Sequence, residues 1–502
     1  MAKLLVRRGQ AHSLLSPSGH FRAHYDLTGW DAVNPTDADH SGVPDYVETV
    51  TAVLDSVWRF EVDQLGYQPP PSDLGAGGGD EYDVYVVQLG QGSVYYGLTY
   101  PDQSGPVTSS FIEIDNDYLD PAYINTRGLS ALRVTLAHEF FHAIQFGYYQ
   151  GADGSWWQEA TATWMEEMAY PEVDDYLYYL TAFLSHPERA LDSGTGLSRD
   201  IFTYGACLFP HLLSQRWHPD LVRQVWAEFG VQQSANLDLL DAILRRTLTR
   251  GLDEAMGEFA VWNYYTGSRY RDGYYREGER YPLVRVRDLQ VASGGTTSDS
   301  GWVDHAGTAY LRLEPQLRGG GVVLGLSLPR GQWESQVLAN APDAVTRQRP
   351  TAKLFRLAGW DRYAEVVVAL TNQEHSGSAY PYTVTVNHDS GLVDQPAPVV
   401  ASLAPNYPNP FHPDRQEQTL ICFQLAQACP SATLSLYAVD GRLVRRFDLG
   451  PRAARAGEVA WDGRDQHGAL VASGVYFYVL EAGAFRAAKP SAVVRTSEKE
   501  VR

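Results

Sequence analysis

Leu136-Ala137-His138-Glu139-Phe140-Phe141-His142-Ala143-Ile144 places two histidines four positions apart in an otherwise apolar run. At helical spacing His138 and His142 share one face a turn apart, so both imidazoles can reach one metal ion. Glu139 lies beside them, and its carboxylate can face a water held at the metal's open position. Zinc lowers the pKa of such a water to about 7, and a neighbouring carboxylate can take the proton. Leu136, Phe140, Phe141 and Ile144 would fix the helix in a core, which a rigid ligand pair needs. From the chain's own histidine and glutamate content, a chance match has a probability of about 2%, which favours metal ligands over two core histidines partnered by Glu139.

A catalytic zinc takes three protein ligands and keeps one position open. The extended pattern H-E-x-x-H-x-x-G-x-x-H is excluded, because Gln145 and Tyr148 fill its last two places. The third ligand must then come from a following helix. Trp156 to Glu167 supplies one, after a turn at Gly147 and the loop Gly151-Ala152-Asp153-Gly154. Glu159 is the expected ligand, with Glu166 two turns along nearly the same face as its competitor. Here the chain resembles a gluzincin metallopeptidase. That resemblance implies zinc-dependent peptide hydrolysis, with Glu139 as general base and then proton donor to the leaving amine. Thermolysin-like members carry an Asp four residues after the glutamate ligand to orient a histidine. This chain has Thr163 there, so that support must be built differently. The stretch Phe202-Thr203-Tyr204-Gly205-Ala206-Cys207-Leu208-Phe209 loosely resembles the Tyr- and Gly-Ala-bearing helix of gluzincin aminopeptidases. The resemblance would make Tyr204 an oxyanion stabiliser. The Tyr-to-Gly-Ala spacing differs, and a core helix with a buried tyrosine is the alternative.

With 502 residues the chain is long enough for two to four domains. A formal net charge of −20 and the scarcity of Lys/Arg clusters argue against nucleic acid and anionic membrane surfaces. No segment approaches the ~20 apolar residues of a membrane span. Three cysteines are too few for a disulfide framework, although Cys422 and Cys429 are close enough in sequence to pair; Cys207 reads as a small buried apolar residue. Met1 to Arg8 is basic with no apolar run after it, so no signal peptide is read. Either the chain is cytoplasmic or a leader precedes Met1, and the C-terminal motifs favour the second.

Asp37-Ala38-Asp39-His40-Ser41-Gly42-Val43-Pro44-Asp45-Tyr46-Val47-Glu48 has oxygen ligands at positions 1, 3, 5, 9 and 12 and glycine at 6. That is the spacing of an EF-hand-type calcium loop, with Asp37, Asp39, Ser41, the Val43 carbonyl, Asp45 and Glu48 as ligands in a structural role. The alternative is an acidic helix start with Pro44 in its first turn. A helix over 43–65 follows. Strands are expected over 82–89, 93–100 and 109–115, the last as a candidate edge for an extended substrate. Helices then run to about Thr266.

From about Tyr281 the periodicity changes to two, with six strands of a β-sandwich between Trp302 and Asn387. A Pro- and Ala-rich linker leads to Asn406-Tyr407-Pro408-Asn409-Pro410-Phe411, the turn Val439-Asp440-Gly441-Arg442, then Trp461-Asp462-Gly463-Arg464-Asp465 and Ala472-Ser473-Gly474-Val475-Tyr476. Asp-Gly turns between alternating strands make a small antiparallel sandwich. In this order the motifs resemble the FlgD-like immunoglobulin fold and the related C-terminal sorting domains of type IX secretion. That implies export to the medium or the bacterial surface, and contact with secretion machinery or a surface anchor. Residues 16–170 also resemble the catalytic part of a group of secreted bacterial metallopeptidases. The expected architecture is a multidomain chain: an α+β zincin-like catalytic domain (1–280), a β-sandwich (281–394) and a FlgD-like domain (395–502). The expected function is peptide hydrolysis with Zn²⁺ and a structural Ca²⁺. A secreted adhesin on a catalytically silent zincin scaffold is the rival.

Overall fold

The computed structural model describes residues 7–90, 95–194, 201–291, 296–313, 319–341, 345–350, 353–392, 402–415, 418–425, 428–452, 456–483 and 485–495. The chain divides into two compact units, Met1–Val393 and Asp394–Arg502.

The first unit begins with a five-stranded sheet. Its strands are β1 (His12–Leu15), β2 (Phe21–Tyr25), β3 (Tyr82–Val87), β4 (Gly97–Pro101) and β5 (Ser110–Asp115), ordered β1-β2-β3-β5-β4. β2, β3 and β5 are mutually parallel, whereas β4 runs antiparallel to β5 at the edge. The stretch 109–115, expected as the free edge, is an interior strand paired on both sides and buried throughout. Its Phe111, Ile112 and Ile114 give apolar side chains to both faces, which suits a strand covered on both sides. The edge strands are β1 and β4.

Helix α1 (Asp45–Trp58) starts after Pro44, whose fixed φ suits a helix start, and carries Asp45 and Glu48 in its first turn. Val47, Val50, Leu54 and Val57 face the core, and the helix continues as a wider π-type turn over Arg59–Gln64. Helix α2 (Gly128–Tyr148) is covered on nearly all sides, with 14 buried residues, so it behaves as a fixed strut rather than a surface helix. Phe140 is fully buried against the rings of Phe21, Trp58 and Tyr82, with centroids 5.0, 5.7 and 5.8 Å away. Cutting such a ring to alanine costs about 3–5 kcal/mol. Helix α3 (Ser155–Ala169) packs along α2 with Trp156, Trp157, Trp164 and Met165 inside.

Among the described residues six further helices follow, α4 (Leu177–Leu184), α5 (Phe202–Gly205), α6 (Leu208–Arg216), α7 (Leu221–Gln232), α8 (Leu237–Leu248) and α9 (Leu252–Tyr264), of which α5 and α6 pack against α3. α8 begins where the Asn236 side chain accepts from the Leu239 N–H at 2.9 Å. The remainder of the unit is a sandwich of two antiparallel-rich sheets, one from strands within 287–372 and one from strands within 296–389. The expected single strand 302–313 is broken by a turn over Asp304–Gly307 into Thr296–Val303 and Thr308–Leu313. Tyr310, Leu338, Val367 and Ala369 of this sandwich belong to the same buried cluster as α9, so helices and sandwich share a core.

The second unit is a small sandwich of a three-stranded and a four-stranded sheet closed over Phe411, Leu434, Trp461 and Tyr478. Cys422 is exposed and Cys429 buried, and the two are not paired; consecutive strands hold their side chains apart. Cys207 is free and buried in the helical core. Among the described residues no helix is long and apolar enough to cross a membrane.

Candidate metal centre

His138 and His142 leave one face of α2 a turn apart, and their Nε2 atoms lie 3.0 Å from each other. Glu159, from the second turn of α3, brings Oε2 to 3.4 Å from His138 Nε2 and 3.5 Å from His142 Nε2. This oxygen is buried and has no hydrogen-bond partner. Three donor atoms on a tetrahedral ion with bonds of about 2.0–2.1 Å would be about 3.4 Å apart, close to the separations found. Without a proton or cation between them, three lone-pair-bearing atoms would face one point in a nearly water-free place. The donor set of two imidazoles and one carboxylate therefore fits a zinc ion.

The outward nitrogens are both tied. His138 Nδ1 donates to Glu166 Oε1 at 2.7 Å, and His142 Nδ1 donates to Gln145 Oε1 at 2.8 Å. The orientation of the Gln145 amide follows from its other end. Its Nε2 donates to the Gln158 carbonyl at 3.0 Å and to Thr161 Oγ1 at 3.1 Å, and a carbonyl can only accept. Oε1 therefore faces His142, whose Nδ1 must carry the proton. Both Nε2 lone pairs then point inward, as metal ligation requires. Glu166 thus stands on the far side of His138 from Glu159 and orients that ring. It does the work expected of an Asp at position 163, where Thr163 has a buried hydroxyl without a partner.

Electrostatics follow the geometry. Burial disfavours the Glu159 anion, but the neighbouring His142 and His138 outweigh it and hold its pKa down at about 2. For Glu166 burial wins, and its pKa is pushed up to about 7 against the pull of His138. Burial also opposes the His138 imidazolium, yet Glu159 and Glu166 raise its pKa well above the ordinary value. The pocket holds more negative than positive charge and favours a cation.

Glu139 is buried, 8% exposed, rather than lying on an open part of the helix without a structural partner. The Thr99 hydroxyl of β4 donates to its Oε2 at 2.6 Å and is 2.9 Å from its main-chain carbonyl. The carboxylate thus lies between the edge strand and the metal ligands. Gly97 makes the room: a Cβ there would sit 2.7 Å from Glu139 Cγ. Tyr204 also reaches the site, its ring centroid 5.9 Å from that of His138. The charge of Glu159, the largest influence, together with burial holds its phenol well above the ordinary pKa, so the hydroxyl keeps its proton. Gly205 permits this placement by letting α5 approach α4, for a Cβ would meet Phe183 Cβ at 2.6 Å. Beside His138 a cavity of about 280 Å³ opens, with five tyrosines in its lining.

In the acidic loop, Asp37, Asp39 and Asp45 bring carboxylate oxygens within 4.8 Å of one another. The Ser41 hydroxyl lies 3.3 Å from the Val43 carbonyl, and Asp37 accepts from the Gly42 and Ser41 amides at 2.9 and 3.0 Å. Glu48, expected as the sixth ligand, is not part of the carboxylate cluster; it lies within α1, one turn past Asp45.

Gln145, Thr99, Gly97 and the cavity tyrosines other than Tyr204 are absent from the site read from the sequence. Gln145 was readable, since it lies three residues after His142 on the same helical face. Thr99 and Gly97 carried no signal, because they arrive through a strand whose edge position the periodicity does not reveal.

Residues 413–484 match the FlgD Ig-like domain family. No curated protein matches the chain. Among solved structures it is similar to PorZ, described as an essential bacterial surface component of the type-IX secretion system of Porphyromonas gingivalis. The identity is 22% over 22% of this chain and 14% of that one, with a TM-score of 0.15. FlgD from P. aeruginosa is 20% identical over 15% of this chain and 60% of its own, with a TM-score of 0.14. Dimeric latent PorU from P. gingivalis is 13% identical over 42% of this chain and 19% of its own, with a TM-score of 0.18. The chain therefore spans less than two thirds of each of these proteins.

Proposed function

We propose that the first unit is a zincin-like, zinc-dependent peptidase with His138, His142 and Glu159 as ligands. The observation that carries this is the convergence of two Nε2 atoms and the unpartnered Glu159 Oε2 at 3.0–3.5 Å, with both Nδ1 atoms tied outward. Zinc bound there would supply Lewis-acid polarisation and a water acidified to near neutral pH. The other roles belong to the chain. Glu139, fixed by Thr99, takes a proton from the attacking water and returns it to the leaving amine. Tyr204, protonated, donates to the oxygen on which negative charge develops. The outer edge of β4 offers main-chain groups to an extended peptide beside Glu139.

We also infer that the acidic loop holds a structural calcium through Asp37, Asp39, Ser41, the Val43 carbonyl and Asp45. The FlgD-like match further supports a secreted or surface location, with the second unit as the part that engages secretion machinery or a surface anchor.

Glu139→Gln tests the catalytic assignment. Zinc content and melting temperature are expected to stay near wild type while peptide hydrolysis falls by about 10²–10⁴. Unchanged turnover at full zinc occupancy overturns the assignment. Bound zinc with no turnover by the wild type on any peptide leaves the silent-scaffold alternative.

A further inference from the structure

The cavity beside His138 measures about 280 Å³. It lies at the low end of the ~300–1,000 Å³ usual for ligand pockets, so it takes one side chain and not a length of peptide. Its wall is aromatic, with Tyr95, Tyr96, Tyr178, Tyr179 and Tyr204 in the lining. Three of these form a continuous surface from the rim to the metal ligands. Tyr178 meets Tyr179 edge-on at 5.5 Å, Tyr179 lies 5.0 Å from Tyr204, and Tyr204 lies 5.9 Å from His138. Tyr178 and Tyr95 are 46% and 40% exposed, so the rim is open to an arriving chain.

Apart from His138, the charged residues in this lining are all carboxylates. Glu166 is committed to His138, and Glu139 to Thr99. Asp175, 9% exposed, accepts from the Tyr179 hydroxyl at 3.2 Å and from the Thr126 hydroxyl. A carboxylate has about four acceptor positions, so two neutral hydroxyls leave capacity for a third donor. Among the described lining residues there is no lysine or arginine. The nearby Arg127 turns away, donating to the main-chain carbonyls of Tyr123 and Pro121.

Each of the three kinds of side chain meets this lining differently. An acidic side chain would be repelled. A purely apolar one would cover the rings but strip water from Asp175 without giving it a partner, which is costly. A long aliphatic stem ending in a cation satisfies both parts: the stem lies against the rings, whose faces attract positive charge, and the head reaches the carboxylate. We propose that the cavity is a receptor for the lysine or arginine side chain of a peptide, with the tyrosines around the stem and Asp175 at the head. That the ligand is a peptide rests on the peptidase reading above.

The test separates binding from turnover. Capped pentapeptides with lysine, arginine, norleucine, phenylalanine or glutamate scanned through each position are titrated calorimetrically into the zinc-loaded Glu139→Gln variant. Cleavage of the same peptides by the wild type is measured separately. At one position lysine or arginine is expected to bind at least about 10-fold tighter than norleucine, the isosteric uncharged stem, and glutamate weakest. Asp175→Asn, added to that variant, should remove most of the lysine-to-norleucine ratio. Tyr178→Leu at the exposed rim, which leaves the core intact, should reduce it in part. Norleucine or phenylalanine matching the cations at every position overturns the proposal. So does a ratio that survives Asp175→Asn, or no binding of any peptide. A cation preference in binding without cleavage by the wild type overturns the peptidase reading and leaves this one. Cleavage without the preference does the reverse.

Discussion

Gly97→Ala probes the proposed base without touching a proposed metal ligand. A Cβ at Gly97 would lie 2.7 Å from Glu139 Cγ, 3.1 Å from Glu139 Cδ and 2.6 Å from Thr135 Cγ2. Ordinary carbon contacts are about 3.5–4.0 Å, so something must yield by about 1 Å. The strand is restrained, because Gly97 is in register with Ile114 of the buried β5. α2 is restrained as well, being packed on nearly all sides. The Glu139 side chain is left to move. A misplacement of about 1 Å at a reacting group costs on the order of 10²-fold in rate. The overpacking itself should cost about 1–3 kcal/mol of stability. Gly97 is not among the glycines with positive φ, so alanine adds no backbone strain. The assay combines melting temperature, zinc per chain by elemental analysis and cleavage of a labelled peptide mixture. Zinc is expected to be retained. A folded, zinc-loaded variant with activity within about 3-fold of wild type would refute the argument, as would loss of zinc together with activity.

Glu166→Gln should weaken zinc binding about 10–100-fold by making the His138 acceptor neutral, measured by competition with a chelator; equal affinities would show that Glu166 does not tune the ligand. Glu167 is pushed up to about 8, first by burial and then by Glu277 and Asp174. The folded state thus holds this proton more tightly than the unfolded chain, and stability is lost as pH rises from about 4.5 to about 8. Glu167→Gln should therefore melt higher than wild type at about pH 9, with the gap closing below about pH 5; a wild-type advantage at the higher pH counts against this. Calcium should raise the melting temperature of the wild type with its occupancy and do nothing for Asp37→Asn, and a wild type indifferent to calcium and chelator would remove the loop site.

The fold was legible where the chain has one dominant period. Leu237–Leu248 is one of the helices expected before Thr266, and 82–89 stands as a strand that ends two residues early. Burial on both faces hid the rank of the strands. β5 alternates around Phe111, Ile112 and Ile114, but its pairings to β3 and β4 take both of its edges and its residues are buried on both faces. β4, with glycine, threonine and proline, reads as weak and owes its position to the antiparallel pairing with β5. Glu48 fits the calcium spacing by counting, yet the helix begins at Asp45 and carries Glu48 in its first turn. That position suits the helix dipole and also suits a ligand at the end of such a loop, and the spacing does not separate the two roles.

The two orienting partners differ in charge, and that difference bears on how the site tolerates its burial. A divalent ion at His138, His142 and Glu159 would be balanced by the Glu159 and Glu139 carboxylates. Every further anion is then surplus in a low-dielectric place, and an uncompensated buried charge is expensive. Glu166 is 5% exposed and titrates near 7, so burial already limits how much charge it brings. Gln145 is fully buried, behind His142 and against Thr161, whose hydroxyl also accepts from Trp226 Nε1 at 3.1 Å. A carboxylate there would face Thr161 and the Gln158 carbonyl, an acceptor it would repel. The amide meets both partners with its own donor and still presents an oxygen to His142. One carboxylate and one amide hold both imidazoles in the ligating tautomer while adding at most one charge, which explains why His142 is supported by glutamine three residues on rather than by an acid from α3.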